Sequence, residues 1–198
     1  MHTIRNGIAG AALALAATLA AATTTTLAGN LGDSGNAALV GSDLGAPDFS
    51  DDNAIADNVA LYTFMVTVPG TVDIVSTGFA AGGVDPYFTL FAGGDGTATF
   101  VDSNYDDADG DFTWTGSLAP GTYQIALGAF ENMSFAENWG VGTLADGFIS
   151  LGDPGSLGDG SYSLTLTTPV PEPSGAWLMA VGLAALATRS LRARRANT

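Results

Sequence analysis

The densest polar cluster of the chain lies in the stretch VDSNYDDADGDF, where six Asp and Asn side chains fall within ten positions. Calcium takes about six to eight hard oxygen ligands, and closely spaced Asp and Asn side chains on one loop supply several of them. The cluster therefore predicts a calcium site. Its members are Asp102, Asn104, Asp106, Asp107, Asp109 and Asp111.

The spacing of this cluster is not that of an EF-hand. Asp107 stands where the sharp turn of an EF-hand needs Gly, and Thr113 stands where a bidentate Glu belongs. A solvated acidic turn between two strands is the alternative interpretation. A second acidic group nearer the amino end is better explained as solvated linker, and it comprises Asp48, Asp51, Asp52 and Asp57.

Catalytic chemistry has few side chains to draw on. There is no Cys, the only His is His2, and no basic residue lies between Asn6 and Thr188. This excludes Ser-His-Asp and Cys-His machinery and the usual zinc sets from that stretch. Carboxylate chemistry remains, but the DSG triplet at Asp33–Gly35 occurs once, and an aspartic protease needs two aspartates. We expect a protein that is not an enzyme, with a secreted carboxylate-dependent glycoside hydrolase as the alternative.

The charge balance restricts the partners. The net charge is −15, and the acidic residues lie almost entirely in the body of the chain. Such a surface repels nucleic acid, so we expect cations, neutral sugars or proteins as partners. Trp139, in the Gly-flanked stretch FAENWGVGT, is the candidate platform for stacking a polysaccharide, and a half-buried packing Trp is the alternative.

The elements that position these side chains have the period of β-strands. In ALYTFMVTV, Tyr62, Phe64 and Val66 fall on one face, and the same alternation recurs in runs as far as GDGSYSLTLTT. Seven or so such runs, with no helical pattern among them, predict one antiparallel β-sandwich, jelly-roll-like, over residues 57–168. Pro69-Gly70 suits a type II turn in which Gly has a positive φ.

The segment before the sandwich, residues 23–56, is rich in Gly and Asp. It is predicted to be a linker or an edge strand, with one short strand near Ala37–Val40. Residues 1–22 combine the positive Arg5, an apolar run and the small residues Ala20-Ala21-Ala22, which is the order of a secretory signal peptide. Cleavage after Ala28 is a second choice.

The carboxyl end, residues 169–198, has three parts in order. Pro171-Glu172-Pro173 breaks regular structure, and residues 174–188 are uncharged. These fifteen residues are shorter than the usual span of about twenty, but arginines beyond an apolar run mark the cytoplasmic side of a transmembrane helix. A plain single-pass anchor and a transient hold on the membrane both remain open. The arginines are Arg189, Arg192, Arg194 and Arg195.

The residues now described resemble two families. The succession DNVALYTFMVTVPGTVDI, DPYFTLF, DSNYDDADGDF, PGTYQIALGAF and GSYSLTL resembles the bacterial pre-peptidase C-terminal domain, a β-sandwich. Pro171-Glu172-Pro173, the short apolar run and the Arg-rich end resemble the PEP-CTERM sorting signal. The second resemblance implies processing near Pro-Glu-Pro by an exosortase, in a Gram-negative bacterium that makes extracellular polysaccharide.

Together these observations predict an exported protein that passes through an inner-membrane intermediate to the cell surface or extracellular matrix. The resemblances imply a binding or accessory module, with calcium and polysaccharide as the expected ligands. A purely structural surface protein without a small ligand is a further alternative.

Overall fold

The computed structural model describes residues 22–33, 59–104, 110–130, 132–148, 154–171, 181–184 and 186. The eight strands found in these described residues lie in one compact unit, Ala21–Pro171. The strands are β1 (Thr23–Asn30), β2 (Ala60–Val66), β3 (Gly70–Thr77), β4 (Pro86–Ala92), β5 (Thr99–Ser103), β6 (Thr113–Leu118), β7 (Gly121–Ala129) and β8 (Ser161–Thr168).

The strands form two antiparallel four-stranded sheets, as the sequence predicted. One sheet has the order β1-β8-β3-β6 and the other the order β2-β7-β4-β5. The first strand pairs with the last, the second with the seventh, the third with the sixth and the fourth with the fifth. The chain is thus arranged as a long two-stranded ribbon whose strand pairs alternate between the two sheets.

The main core lies between the sheets and contains the residues that the period-two pattern placed inside. Val72, Ile74, Phe88 and Leu90 are completely buried there. Phe112 stacks on Phe88, with 4.8 Å between the ring centroids. Burial of large apolar side chains is the dominant stabilising term in folding, at about 25 cal/mol per Å² of apolar surface.

A second, smaller core covers the outer face of the β2-β7-β4-β5 sheet. It combines Phe91 of β4 with Leu144 and Phe148 from the segment that follows β7. That segment contains the short helix α1 (Phe135–Trp139) and a 3-10 turn at Leu144–Asp146. The expectation that the body holds no helix was therefore wrong. A helix of five residues is too short to show a helical period in the sequence.

β1 corrects the expectation of where the edge strand lies. The segment 23–56 supplies an edge strand, but at Thr23–Asn30, while Ala37–Val40 lies outside the described residues. The side chains of Thr23 to Thr26 are exposed, and only Leu27 packs against the core, so the strand has almost no apolar period. β1 forms because its backbone pairs with β8 along its whole length.

The turn before β3 also differs from the prediction. Gly70 is the first residue of β3 and does not have a positive φ, so the predicted type II turn is wrong. The position favours glycine for a different reason. A Cβ there would lie 3.0 Å from Cβ of Pro169, because the chain leaving β8 crosses this point.

Strand direction divides the connections between two ends of the sandwich. The tail end is formed by residues 22–26, 66–71, 93–98, 116–122 and 165–171, where β1 begins and β8 finishes. The loop end is formed by the β3–β4 connection, residues 78–85, and by the two stems of the β5–β6 connection, residue 104 and residues 110–112. The predicted calcium loop therefore begins and ends opposite the point where the carboxyl tail emerges.

Candidate functional site

The first stem of the acidic loop is held by Asp102 and Asn104. One carboxylate oxygen of Asp102, Oδ2, accepts a hydrogen bond from Nε1 of Trp114 at 3.0 Å, and so links β5 to β6 of the facing sheet. Asn104 is buried, and its Oδ1 accepts from the backbone N–H of Phe88 at 2.6 Å. Its Nδ2 donates to the carbonyl oxygen of Pro86 at 3.1 Å. The Asn104 side chain thus extends the ladder of β4.

The second stem is held by carboxylates from two other places. Asp111 accepts from Oγ of Ser76 at 3.1 Å and from the backbone N–H of Gly78 at 3.2 Å. The buried Asp85 accepts from the backbone N–H of Gly110 at 2.8 Å. Both ends of the loop are therefore fixed to the sandwich. Sequence reasoning missed Ser76 and Asp85, because each lies far along the chain from the residue that it binds.

The structure brings three of the six predicted calcium ligands to the stems of one loop. Asp102, Asn104 and Asp111 all use side-chain oxygens to accept hydrogen bonds from protein groups. Asp106, Asp107 and Asp109 lie outside the described residues, as do the acids Asp48, Asp51, Asp52 and Asp57. Within the described part of the chain, no group of three or more His, Cys, Asp or Glu could hold a metal ion. Calcium binding stays a prediction.

Glu137 is a functional candidate that the sequence did not indicate. Its carboxylate is partly buried on the outer side of β4 and β5 and accepts three hydroxyl hydrogen bonds. Burial raises the pKa of Glu137 above its ordinary value, although the three hydroxyl bonds act in the opposite direction. The donors are Tyr87 (2.6 Å), Thr89 (3.1 Å) and Ser103 (2.5 Å).

A short capped helix positions Glu137. Oγ of Ser134 caps α1 by accepting from the backbone N–H of Glu137 at 3.1 Å, and Gly140 closes the helix in a left-handed conformation. A raised pKa is a property of general acids. Here, however, both carboxylate oxygens accept hydrogen bonds from hydroxyls of β4 and β5. Glu137 is therefore a structural hub, a side chain whose hydrogen bonds hold α1 against the sheet.

Trp139 lies at the end of the same helix and is 59% exposed. Its ring is tilted against that of Phe135, with 5.1 Å between the centroids, and Phe135 is buried. Val141 next to it is also exposed. The predicted stacking platform is therefore a solvent-facing indole with a fixed support, and it is not a buried packing residue.

Of the predicted sorting residues, the structure describes only Pro171. Pro169 and Val170 are half-buried against the body, and Pro171 is the first exposed residue after β8. Glu172, Pro173 and the four arginines lie outside the described residues. Residues 181–184 and 186 are helical and belong to a separate unit, and their apolar side chains Val181, Leu183 and Leu186 are exposed. Among the described residues, no helix has the length and apolar character to cross a membrane.

Comparison with known proteins gives weak likenesses. The chain is similar to the pre-peptidase C-terminal domain of a collagenase from Bacillus anthracis, at 17% identity and a TM-score of 0.38, over 72% of this chain and 88% of that chain. It is also similar to a mitogen derived from Yersinia pseudotuberculosis, at 14% identity and a TM-score of 0.20, over 59% of this chain and 91% of that one. No family model matches the chain, and no curated protein matches it.

Proposed function

We propose that this chain is an exported, non-catalytic binding protein of the cell surface or extracellular matrix, which an exosortase processes at its carboxyl tail. One observation carries the proposal: the chain becomes exposed at Pro171, the first residue of Pro-Glu-Pro. The compact unit Ala21–Pro171 ends at that same residue. Cleavage after that segment would leave all the described strands and the described core residues in the protein. The ribbon-like strand pairing supports the jelly-roll form of the sandwich.

The sorting proposal is tested at Glu172. The Glu172→Ala variant is expressed in a host with an exosortase, and a Val170→Ala variant serves as the matched control. We expect Glu172→Ala to accumulate as unprocessed protein in the membrane, whereas Val170→Ala is released like the wild type. Normal release of the Glu172→Ala protein would contradict recognition of the Pro-Glu-Pro segment.

Calcium is the proposed inorganic ligand, bound by the β5–β6 loop. Both stems of that loop are fixed, by Asn104 and by Asp85, so the five residues between them span a defined gap. Those residues include three aspartates, and no basic residue lies between Asn6 and Thr188 to neutralise them. Carboxylates held close together repel one another unless a cation lies between them.

Calorimetry with calcium chloride tests this proposal. We expect heat of binding from the wild type and a loss of affinity of about tenfold or more in the Asp107→Asn, Asp109→Asn double variant, because charged ligands dominate calcium affinity. The control is Asp95→Asn, which removes a carboxylate at the opposite end of the sandwich. No heat from the wild type, or equal losses in both variants, would contradict a site in this loop.

Polysaccharide is the proposed organic ligand, stacked on Trp139. Because this indole is mostly exposed but contacts the ring of Phe135, Trp139→Ala should lower the free energy of unfolding by only about 0.5–1.5 kcal/mol. Binding to a panel of neutral and acidic polysaccharides should fall several-fold, whereas the control Phe79→Ala, another exposed aromatic residue, should bind normally. Release of shortened sugar chains, abolished by one Asp→Asn change, would contradict a non-catalytic role.

A further inference from the structure

β1 is an edge strand with one neighbour. Its eight residues pair in unbroken antiparallel register with β8, and β1 has no second partner strand in the part of the chain that the structure describes. In an antiparallel ladder, alternate residues direct their backbone N–H and C=O groups away from the partner strand. The outer edge of β1, between Thr23 and Gly29, therefore presents a row of hydrogen-bonding groups that another strand can pair with.

The side chains of β1 contribute little to holding this strand in place. Those of residues 23–26 are all exposed, so the first half of the strand meets solvent on both faces. Each of the other three edge strands interleaves exposed side chains with buried or half-buried ones. Because β1 is held mainly by its backbone ladder with β8, it has the most to gain from a second ladder on its outer edge.

The outer edge of β1 also lacks the features that prevent strands from pairing edge to edge. Charged residues, prolines, bulges and a covering helix are such features. The strand TTTTLAGN has no charge and no proline, and its register with β8 has no irregularity. β5, an edge strand of the other sheet, carries the charged Asp102, has a register shift against β4, and is bound by α1 through Glu137 and Ser103.

The run of four threonines makes β1 complementary to itself. When two copies of β1 pair antiparallel about the centre of residues 23–26, every threonine of the run lies opposite a threonine of the other copy. The structure already contains a pair of this kind. Thr24 lies opposite Thr167 of β8, and their Oγ1 atoms are 3.4 Å apart. Hydroxyl contacts between threonines opposite each other on neighbouring strands stabilise a sheet.

Charge also favours a second copy at this edge. The chain has a net charge of −15 and no basic residue between Asn6 and Thr188, so two copies repel each other wherever their carboxylates meet. β1 carries no charge, and the first acidic residue after it along the chain is Asp33. Two copies that meet through β1 therefore bring backbone groups and hydroxyls together without setting carboxylates of the two strands opposite each other.

We propose that two copies of this chain pair through β1, antiparallel and about a twofold axis, so that their two four-stranded sheets become one continuous sheet. A twofold contact uses the β1 edge of both copies, so assembly through it stops at two. This pairing does not rest on the proposed function. Under that function, the dimer carries two copies of the Trp139 platform, and a polymeric ligand that reaches both binds with greater avidity.

Sedimentation velocity of the full chain over a range of concentrations tests the proposal. The β1 variant carries Thr24→Lys and Thr26→Lys. The matched control carries Thr113→Lys and Ser117→Lys on β6, which is the opposite edge strand of the same sheet. All four positions are exposed, and both variants change the net charge by the same amount. Circular dichroism checks that each variant is folded.

We expect a monomer–dimer equilibrium for the wild type and for the β6 control. The dimer of the β1 variant should be at least about fivefold weaker, since like charges opposite each other across a ladder are destabilising. The net charge of the β1 variant is less negative than that of the wild type, so greater overall repulsion does not explain such a loss.

Cysteine scanning locates the twofold axis, because the chain has no cysteine of its own. Each step of one residue away from the axis separates the two copies of a residue by about 6.6 Å along the strand, which is twice the rise per residue. A disulfide does not join Cα atoms more than about 7 Å apart. We therefore expect disulfide-linked dimer at one position or at two adjacent positions, and little on either side. Single cysteines replace in turn the exposed residues of β1, and Ser117→Cys on β6 is the control; the exposed residues are Thr23, Thr24, Thr25, Thr26 and Ala28.

Three results would overturn this inference and leave the proposed function untouched. The wild type would sediment as a monomer at every concentration if β1 did not pair with a second copy. The β1 variant and the β6 control would both keep the dimer, or lose it equally, if the copies met elsewhere. The disulfide yield would be the same at every position of β1 and at Ser117 if the copies met only by random collision.

Discussion

Removal of the Asn104 side chain should destabilise the whole sandwich. In Asn104→Ala, the backbone N–H of Phe88 and the carbonyl oxygen of Pro86 each lose a partner at a position that is buried. A buried polar group left without a partner costs about 1–3 kcal/mol, so the two together should lower the free energy of unfolding by about 3 kcal/mol. For a body of roughly 150 residues this corresponds to a fall in Tm of about 6–12 °C.

Thermal and urea unfolding, with calcium and with a chelator, measure this effect. The matched control is Asn138→Ala, which removes an exposed side chain from α1 and should change the free energy of unfolding by less than about 0.5 kcal/mol. Because Oδ1 of Asn104 accepts from Phe88, the loss should be the same in both buffers. A loss that appears only with calcium would refute this reasoning and make Asn104 a metal ligand.

Three further predictions concern Glu137, the close approach of Tyr162 to Gly29, and the amino end. Because the folded-state pKa of Glu137 is raised, the contribution of this side chain to the free energy of unfolding is greatest at low pH and is lost as pH rises through that pKa. In urea unfolding at several pH values, the wild type should therefore lose stability relative to Glu137→Gln as pH rises. Parallel pH profiles of the two proteins would count against this prediction. Gly29→Ala should lower the free energy of unfolding by about 1–3 kcal/mol, since the Cβ of the new alanine would lie 2.5 Å from Oη of Tyr162. An unchanged urea midpoint would refute this steric clash. Amino-terminal sequencing of exported protein should begin at Thr23, because cleavage after Ala28 would remove most of β1, and a start at Gly29 would show that β1 is dispensable.

The alternation of apolar residues was sufficient to predict the inner core. Ile74, Phe88 and Leu164 are buried where the period-two pattern placed them, because a strand with one face on a core must alternate. β1 could not be predicted in this way. Its threonines contribute a backbone ladder and few core contacts, so the strand is specified by its partner β8 and not by its own pattern.

The candidate site was predictable only in part. The Gly-flanked stretch left a stacking platform and a half-buried packing residue both open for Trp139, and only the structure shows that the indole is solvent-facing. The hub at Glu137 was not predicted, because its hydroxyl donors come from β4 and β5, more than thirty residues earlier in the chain. Asn104 shows a different limit. An Asn side chain can bind a cation, but it can also extend the hydrogen-bond ladder of a strand, and only the folded structure shows that Asn104 extends the ladder of β4.

The identity of the last residue of the exported protein tests the proposed sorting most directly. Mass spectrometry of the protein released by a host with an exosortase should find a carboxyl terminus close to Pro173. The folded unit Ala21–Pro171 would then be intact. Released protein that still ends in Arg195-Ala196-Asn197-Thr198 would contradict processing at the Pro-Glu-Pro segment.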